Sequence, residues 1–284
     1  MHARTASLTL AAMVAFAANS LLCRAALGGG LADAASFTSM RLVGGALVLV
    51  PLTRLRGGSE VGGGSWTSAA ALFAYALGFS LAYLSIPAGT GALLLFGAVQ
   101  LTMLASALVA GERPAAREWL GLVLSLVGLV ALTRPGLAQP NPVGAGLMLV
   151  AGMAWGVYSL RGRSAADPTA ATAGNFARAV PLALLPAAVA LALGEVSLSR
   201  VGLLWAVLSG AVTSGLGYVM WYAVVRELTA TRAAIVQLAV PVLAAGGGVA
   251  LLDEPVTPRL VVASAAILGG VALATLSRER QPAA

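Results

Sequence analysis

Stretches of about twenty apolar residues follow one another along almost the whole chain, and no other feature constrains its fold as strongly. Breaking the sequence at Gly, Pro and charge clusters leaves apolar segments near residues 6–27, 35–53, 66–86, 88–110, 115–133, 142–160, 170–193, 200–223, 230–252 and 257–277. A helix needs about 20 such residues to cross a hydrocarbon core of roughly 30 Å, and inside lipid only helices and closed barrels satisfy every backbone group. The pattern predicts an all-α polytopic membrane protein with ten transmembrane helices, and 284 residues leave no room for a soluble domain beside them. Composition agrees: 10% of residues are charged, against about 25% in soluble domains. The third and fourth segments are joined only by Ile86-Pro87-Ala88-Gly89, and the turn is placed at Pro87 because one helix through both would be too long for a single crossing. The first run continues to about Leu27, with Leu22 before Cys23, and reads as a span rather than a cleaved signal.

Several chemistries are excluded early. All 17 basic residues are Arg, so a P-loop lysine and a lysine Schiff base are absent. One cysteine, Cys23, and one histidine, His2, supply neither a disulfide nor a zinc site nor a Ser-His pair, and no cofactor is expected. The net charge of +7 is spread singly between apolar runs, which argues against a nucleic-acid partner; the partners expected are the lipid bilayer and a small-molecule substrate. Orientation follows from the arginines that flank the spans. With the N-terminus inside, Arg4, Arg54, Arg56, Arg113, Arg117, Arg161, Arg163, Arg226, Arg232, Arg278 and Arg280 are cytoplasmic, whereas Arg24, Arg134, Arg200 and Arg259 are outside. The reading is a cell inner membrane protein with both termini cytoplasmic, as a monomer or homodimer.

The chain also resembles itself. Gly111-Glu112-Arg113-Pro114 after the fourth span is similar to Asp253-Glu254-Pro255 after the ninth, and Phe37-Thr38-Ser39-Met40-Arg41 to Ala173-Gly174-Asn175-Phe176-Ala177-Arg178. A repeat five helices long is odd, so its second copy enters the bilayer from the opposite side, an arrangement typical of secondary transporters. The expected division is residues 1–136 and 137–284. From the acid-Pro turns, the paired arginines, the length and the helix count, the chain resembles the drug/metabolite transporter superfamily, specifically its EamA-type members. That resemblance implies two inverted five-helix repeats forming a basket around a central cavity, with the fifth and tenth spans peripheral and export of amino acids or related metabolites as the activity. The sequence departs from the family in lacking a tryptophan in the first helix; Asn19 lies there, and Trp155 lies in the comparable stretch of the second half.

Polar and amphipathic side chains deep in a span are costly unless they face protein or water, which makes them candidates for substrate binding. These are Asn19, Tyr75, Phe79, Tyr83, Gln100, Trp155, Tyr158, Tyr218, Trp221 and Gln237. Tyr75, Phe79 and Tyr83 recur every four residues on one helix face, and Tyr218, Trp221 and Tyr222 form a second stripe on the eighth span. The two stripes are expected to wall one pocket, the alternative being plain helix packing. Trp66, Trp119 and Trp205 lie near span ends and fit an interfacial belt. Arg41 and Arg178 lie inside spans; the expectation is a structural role, snorkelling to water, set against a functional one in which a guanidinium receives a carboxylate or bonds helix-end carbonyls. The ten acids all fall in loops or at helix ends, so no midplane carboxylate serves as a proton relay. Small residues on the fifth span (Gly121, Ser125, Gly128) and the tenth (Ala265, Ala266, Gly269, Gly270) allow close packing against neighbours or another subunit, and the Gly246-Gly247-Gly248 run reads as a hinge or close crossing. The function expected is a transporter exporting small metabolites, amino acids first, by alternating access without proton coupling. The alternatives are a multidrug exporter, a pore, and an integral-membrane enzyme; the last lacks paired catalytic acids or a usable histidine.

Overall fold

The computed structural model describes residues 3–57, 63–86, 88–133, 141–251 and 258–275. The first seven spans are α1 (Ala3–Gly28), α2 (Ala34–Leu55), α3 (Trp66–Tyr83), α4 (Ala88–Val109), α5 (Ala116–Thr133), α6 (Pro142–Gly162) and α7 (Pro168–Ala192). The eighth is a composite of α8 (Arg200–Leu208), a π-helical segment (Ser209–Leu216) and α9 (Gly217–Val225). The ninth joins α10 (Ala230–Gln237) to α11 (Ala239–Leu251), and α12 (Pro258–Thr275) is the tenth. Each span falls within one helical turn of its predicted limits. The break between the third and fourth lies between Tyr83 and Ala88; Pro87 itself, like Asp253-Glu254-Pro255, is outside the described residues.

Among the described residues, seven of the rods are long and apolar enough to cross a bilayer, and α4 and α12 carry the shorter apolar stretches Leu94–Val109 and Ser264–Leu273. Their outer faces explain why. Leu47, Leu101, Leu185 and Leu191 are each about 70% exposed, and a helix that turns such side chains outward needs lipid as its solvent.

Local chemistry sets where helices begin. Asp33, Ser65, Asp167, Ser199 and Thr229 cap the starts of α2, α3, α7, α8 and α10, each side-chain oxygen accepting a first-turn backbone N–H, and Asn141 does the same for α6 ahead of Pro142. Asp33 also accepts the N–H of Ser197 (2.9 Å), tying the α1–α2 loop to the α7–α8 loop. Partial burial raises its pKa, but the N–H groups of Ser36 and Ser197 outweigh that and hold its carboxyl below the usual carboxylate range.

The arginine-rich ends gather on one side of the bundle. Arg56 donates to Thr169 (3.1 Å) and Arg161 to Ser68 (2.8 Å). Glu112 pairs with Arg163 (3.4 Å) and accepts the backbone N–H of Ala230 (3.1 Å), so the acid of the first acid-Pro turn helps cap the ninth span. Glu118 pairs with Arg232 (2.8 Å), and Thr5 donates to Glu227.

Helix packing repeats itself when each of the first five spans is exchanged for the span five further on. Antiparallel α3 and α6 meet at Gly78 and Ala151, and antiparallel α1 and the eighth span meet at Ala15 and Gly217. Gly152 of α6 lies against the Leu95 carbonyl of α4, and Gly247 of α11 against Leu21 of α1. α2 and α7 pair with each other: Arg56 meets Thr169, Gly45 lies under the Phe176 ring, and Ser39 donates to the Ala183 carbonyl (2.8 Å). The fold is the expected inverted arrangement of two five-helix sets, with the exchange axis running between α2 and α7.

The fifth and tenth spans pair with one another. Gly270 sits against the Gly121 carbonyl and Ser125, whose hydroxyl donates to the Ile267 carbonyl (3.2 Å). The small residues on these spans therefore serve an internal helix pair; Gly269, beside Gly270, faces open space. In the triple-glycine run Gly247 abuts a side chain, not a backbone, and Gly246 abuts nothing.

Candidate functional site

Glycines draw α2 and the eighth span into backbone contact at the centre of the bundle. Gly44 approaches the backbone of Val207, and a Cβ on Gly210 would overlap the carbonyl of Arg41. The contact places Arg41, which is fully buried, against the π-helical segment. Its Nε donates to Ser214 Oγ (3.0 Å), and its Nη2 to the hydroxyls of Tyr218 (2.7 Å) and Tyr75 (3.2 Å). Its Cζ lies 5.1 Å and 5.6 Å from the ring centroids of Tyr75 and Phe79.

These contacts correct the snorkelling expectation for Arg41. The guanidinium reaches inward because α2 turns this face toward α3 and the eighth span. Arg178 behaves differently: half-buried, it donates to the carbonyls of Gly63 (2.8 Å) and Gly174 (2.9 Å), near the arginine-rich end. The two arginines, similar in sequence position, are not equivalent in space.

Asn19 is the second node. Its Oδ1 accepts from Ser209 (2.6 Å) and Thr213 (3.2 Å), and its Nδ2 donates to the Tyr75 hydroxyl (3.3 Å), an amide orientation assigned from these partners. Ser214 also reaches this oxygen at 3.5 Å. In a regular α-helix Ser209 and Ser214 point about 140° apart; the wider π turn brings residues five apart onto one face. The result is a closed ring of polar groups: Arg41, Ser214, Asn19, Tyr75 and back to Arg41.

The aromatic side chains assemble beside this ring. Trp155 lies 4.7 Å from Tyr218 and 5.1 Å from Tyr75, ring centre to ring centre, and Phe16 fits edge-on between Trp155 (5.1 Å) and Tyr218 (5.8 Å). They surround a void of about 10 Å³, roughly the space of one water, where ligand pockets hold several hundred cubic ångströms. The basket is closed around its centre. Of the ten sequence candidates, Tyr75, Phe79, Trp155 and Tyr218 line the void and Asn19 lies immediately behind it, bonded to Tyr75.

The other five lie around it. Trp155 Nε1 donates to Gln237 Oε1 (2.7 Å), and Gln100 donates to the Ala234 carbonyl, so both glutamines join α4, α6 and α10. Trp221 donates to Ser159 (3.1 Å), and Tyr158 stacks between Trp155 (5.5 Å) and Tyr222 (5.0 Å) on the side toward the arginine-rich end. Tyr83 packs edge-on against Phe79 (4.6 Å) at the other end. Tyr222, with Ser65, Ser68, Arg161 and Asn175, lines a polar cleft of about 180 Å³. Tyr158 thus joins Tyr222 of this cleft to Trp155 of the void wall.

The sequence reading missed Phe16, Ser20, Leu95 and Phe96 in the lining, and it missed the hydroxyl triad of Ser209, Thr213 and Ser214. Phe16 sits one turn before Asn19, a signal that was present. A triad with a five-residue gap is invisible to a search for helical spacing.

Comparison with known proteins adds to this geometry. The family model described as "EamA-like transporter family" matches residues 3–134 and again 142–276. An uncharacterised protein of Pseudomonas aeruginosa is 53% identical over 95% of this chain and 94% of its own length. The threonine/homoserine exporter RhtA of Salmonella typhimurium is 33% identical over 63% of this chain and 61% of its own, and an uncharacterised transporter of Archaeoglobus fulgidus is 27% identical over 72% and 74%. A crystal structure with 22% identity superimposes with a TM-score of 0.79 over 99% of this chain and 100% of the other, a likeness of fold.

Proposed function

The chain belongs to the EamA-like transporter family, and from that premise we propose that it exports small metabolites, amino acids first, across the cell inner membrane by alternating access. The observation that carries the reading is the closed aromatic and amide cluster at the bundle centre, built jointly from α1, α2 and α3 of the first set and α6 and the eighth span of the second. A site made by both inverted sets is opened to one side by rocking them one way and to the other by rocking them back. The aromatics offer adaptable apolar surface for a side chain, and Asn19 with its hydroxyl partners offers polar groups for a charged head. Similarity to a threonine/homoserine exporter supports the amino-acid class. A multidrug exporter for lipophilic cations fits less well, since the buried charge of Arg41 repels a cation at the same place.

In this reading the two repeats are residues 1–136 and 137–284, supported by the two matches of the family model. Both termini are cytoplasmic, which the gathering of Arg56, Arg161, Arg163 and Arg232 at one end supports. A periplasm-dependent reporter fused after Ala284 is expected to stay inactive; activity there would reverse the assignment.

Among the described residues the acids lie in loops and at helix ends, and Glu112 and Glu118 are engaged by arginines there. Export is therefore read as downhill movement or exchange. Proteoliposomes loaded in turn with each common amino acid, at equal pH inside and out, are expected to release at least one of them in a protein-dependent way. Release that occurs only under an imposed pH difference would refute the uncoupled mechanism, and release of none would refute the amino-acid class.

A further inference from the structure

Arg41 stands out in the bundle as a full charge held by neutral groups. A guanidinium stays protonated at any accessible pH, and burying its charge without a counter-ion is strongly unfavourable. The ion pairs given above join Arg163 to Glu112 and Arg232 to Glu118, both at the arginine-rich end. Around Arg41 there are instead one serine hydroxyl, two phenol hydroxyls, the buried thiol of Cys23 and two ring faces. The donors are also incompletely used. Nε and Nη2 are bonded, but Nη1, fully buried, has no hydrogen-bond partner. Arg178 shows how another arginine within a span is satisfied in this same bundle, by two backbone carbonyls near a helix end. Arg41 has no such arrangement, although leaving a buried donor unpaired forfeits the hydration it would have in water.

We infer that Arg41 is the receptor for a carboxylate on the transported substrate. The inference rests on the transporter reading above and gives that site its chemistry. The Nη1 and Nη2 edge of a guanidinium matches a carboxylate in a bidentate pair. In the closed protein Nη2 is held by the Tyr75 and Tyr218 hydroxyls, while Nη1 has no hydrogen-bond partner. Tyr75, Phe79 and Tyr218 are also walls of the central void. Opening the void moves the rings that cover the guanidinium, and one carboxylate then replaces two phenols and pairs the orphan donor. A single buried cation matches a single negative charge. The α-ammonium of an amino acid, carried beside its carboxylate, meets the ring faces of Phe16 and Trp155 and the oxygens of the Asn19 cluster.

The test is counterflow in proteoliposomes with each of the twenty common amino acids and its carboxamide, using the native chain, Arg41→Gln and Arg41→Lys. The native chain is expected to carry at least one acid and to carry the matching carboxamide at least tenfold more slowly. Arg41→Gln is expected to lose at least tenfold toward the acid, mainly through a higher KM, and to lose the discrimination between acid and carboxamide. Arg41→Lys retains the charge without the planar fork and should fall between them. A purely structural role would lower both substrates together and leave their ratio unchanged. Should Arg41→Gln fail to fold, as judged by gel filtration and its melting temperature, the native ratio and Arg41→Lys still decide. Equal transport of acids and carboxamides by the native chain overturns the inference while leaving the transporter standing. Transport of neither overturns both, and retained discrimination in Arg41→Gln overturns the assignment to this residue.

Discussion

Gly210→Ala is expected to abolish efflux and to lower the melting temperature, while Gly97→Ala leaves both unchanged or slightly improves stability. At Gly210 the added methyl would overlap the backbone carbonyl of Arg41, an atom that cannot rotate away as a side-chain end would. Relief requires the eighth span and α2 to separate along their crossing, where Gly44 and Gly45 already lie close to Val207 and the Gly210 carbonyl. Overpacking of a closed core costs about 1–3 kcal/mol, and a backbone obstacle belongs at the upper end of that range. The functional loss exceeds the stability loss, because the same shift pulls Arg41 away from Ser214 and Tyr218. At Gly97 of α4 nothing lies within 4 Å of the site a Cβ would take, so the change gains helix propensity of about 1 kcal/mol at most. Thermal unfolding in detergent and amino-acid release from proteoliposomes measure the two effects. Equal behaviour of the two variants would show that the α2 crossing does not hold the site together.

Much of this architecture is legible in the sequence because lipid leaves a chain few options. Apolar runs of one length can only be spans, and the charges between them mark the ends. The aromatic stripe Tyr75, Phe79 and Tyr83 was readable for the same reason: a regular helix repeats a face every four residues. Its partner stripe divides, with Tyr218 at the void and Trp221 one layer away, bonded to Ser159.

What escaped the sequence reading has two physical causes. Arg41 lies about two turns from the start of α2, and counting residues along a helix gives depth without direction; only the neighbours decide whether a long side chain reaches water or turns inward. The Ser209, Thr213 and Ser214 triad depends on a π-helical segment that no residue preference in Ser-Gly-Ala-Val-Thr-Ser-Gly-Leu announces. That segment converts two residues pointing apart into a joint cradle for Asn19. Departures of this kind from regular helix tend to occur where a function requires them.

Trp155 provides the sharpest separation of site from scaffold. It lies 3% exposed between Phe16, Tyr75 and Tyr218, whereas Trp66, at the start of α3, is 61% exposed. Trp66→Ala is therefore expected to leave efflux within about twofold of the native chain at matched expression, since interfacial aromatics anchor a helix without setting its chemistry. Trp155→Ala removes a buried ring at a cost of about 3–5 kcal/mol, so its loss of efflux would mix folding with function. Trp155→Phe is the informative change. It keeps an aromatic wall but removes the Nε1–H donated to Gln237 Oε1, stranding a buried acceptor at a cost of about 1–3 kcal/mol. Adding Gln237→Leu removes that acceptor as well, and replacing both partners of a hydrogen bond with apolar groups is often nearly neutral. The double variant is thus expected to regain most of its melting temperature while efflux stays about tenfold below the native rate, because the indole face between Tyr75 and Tyr218 is still gone. If efflux returns together with stability, or if Trp66→Ala proves as damaging as the Trp155 changes, Trp155 is a packing residue and the site lies elsewhere in the bundle.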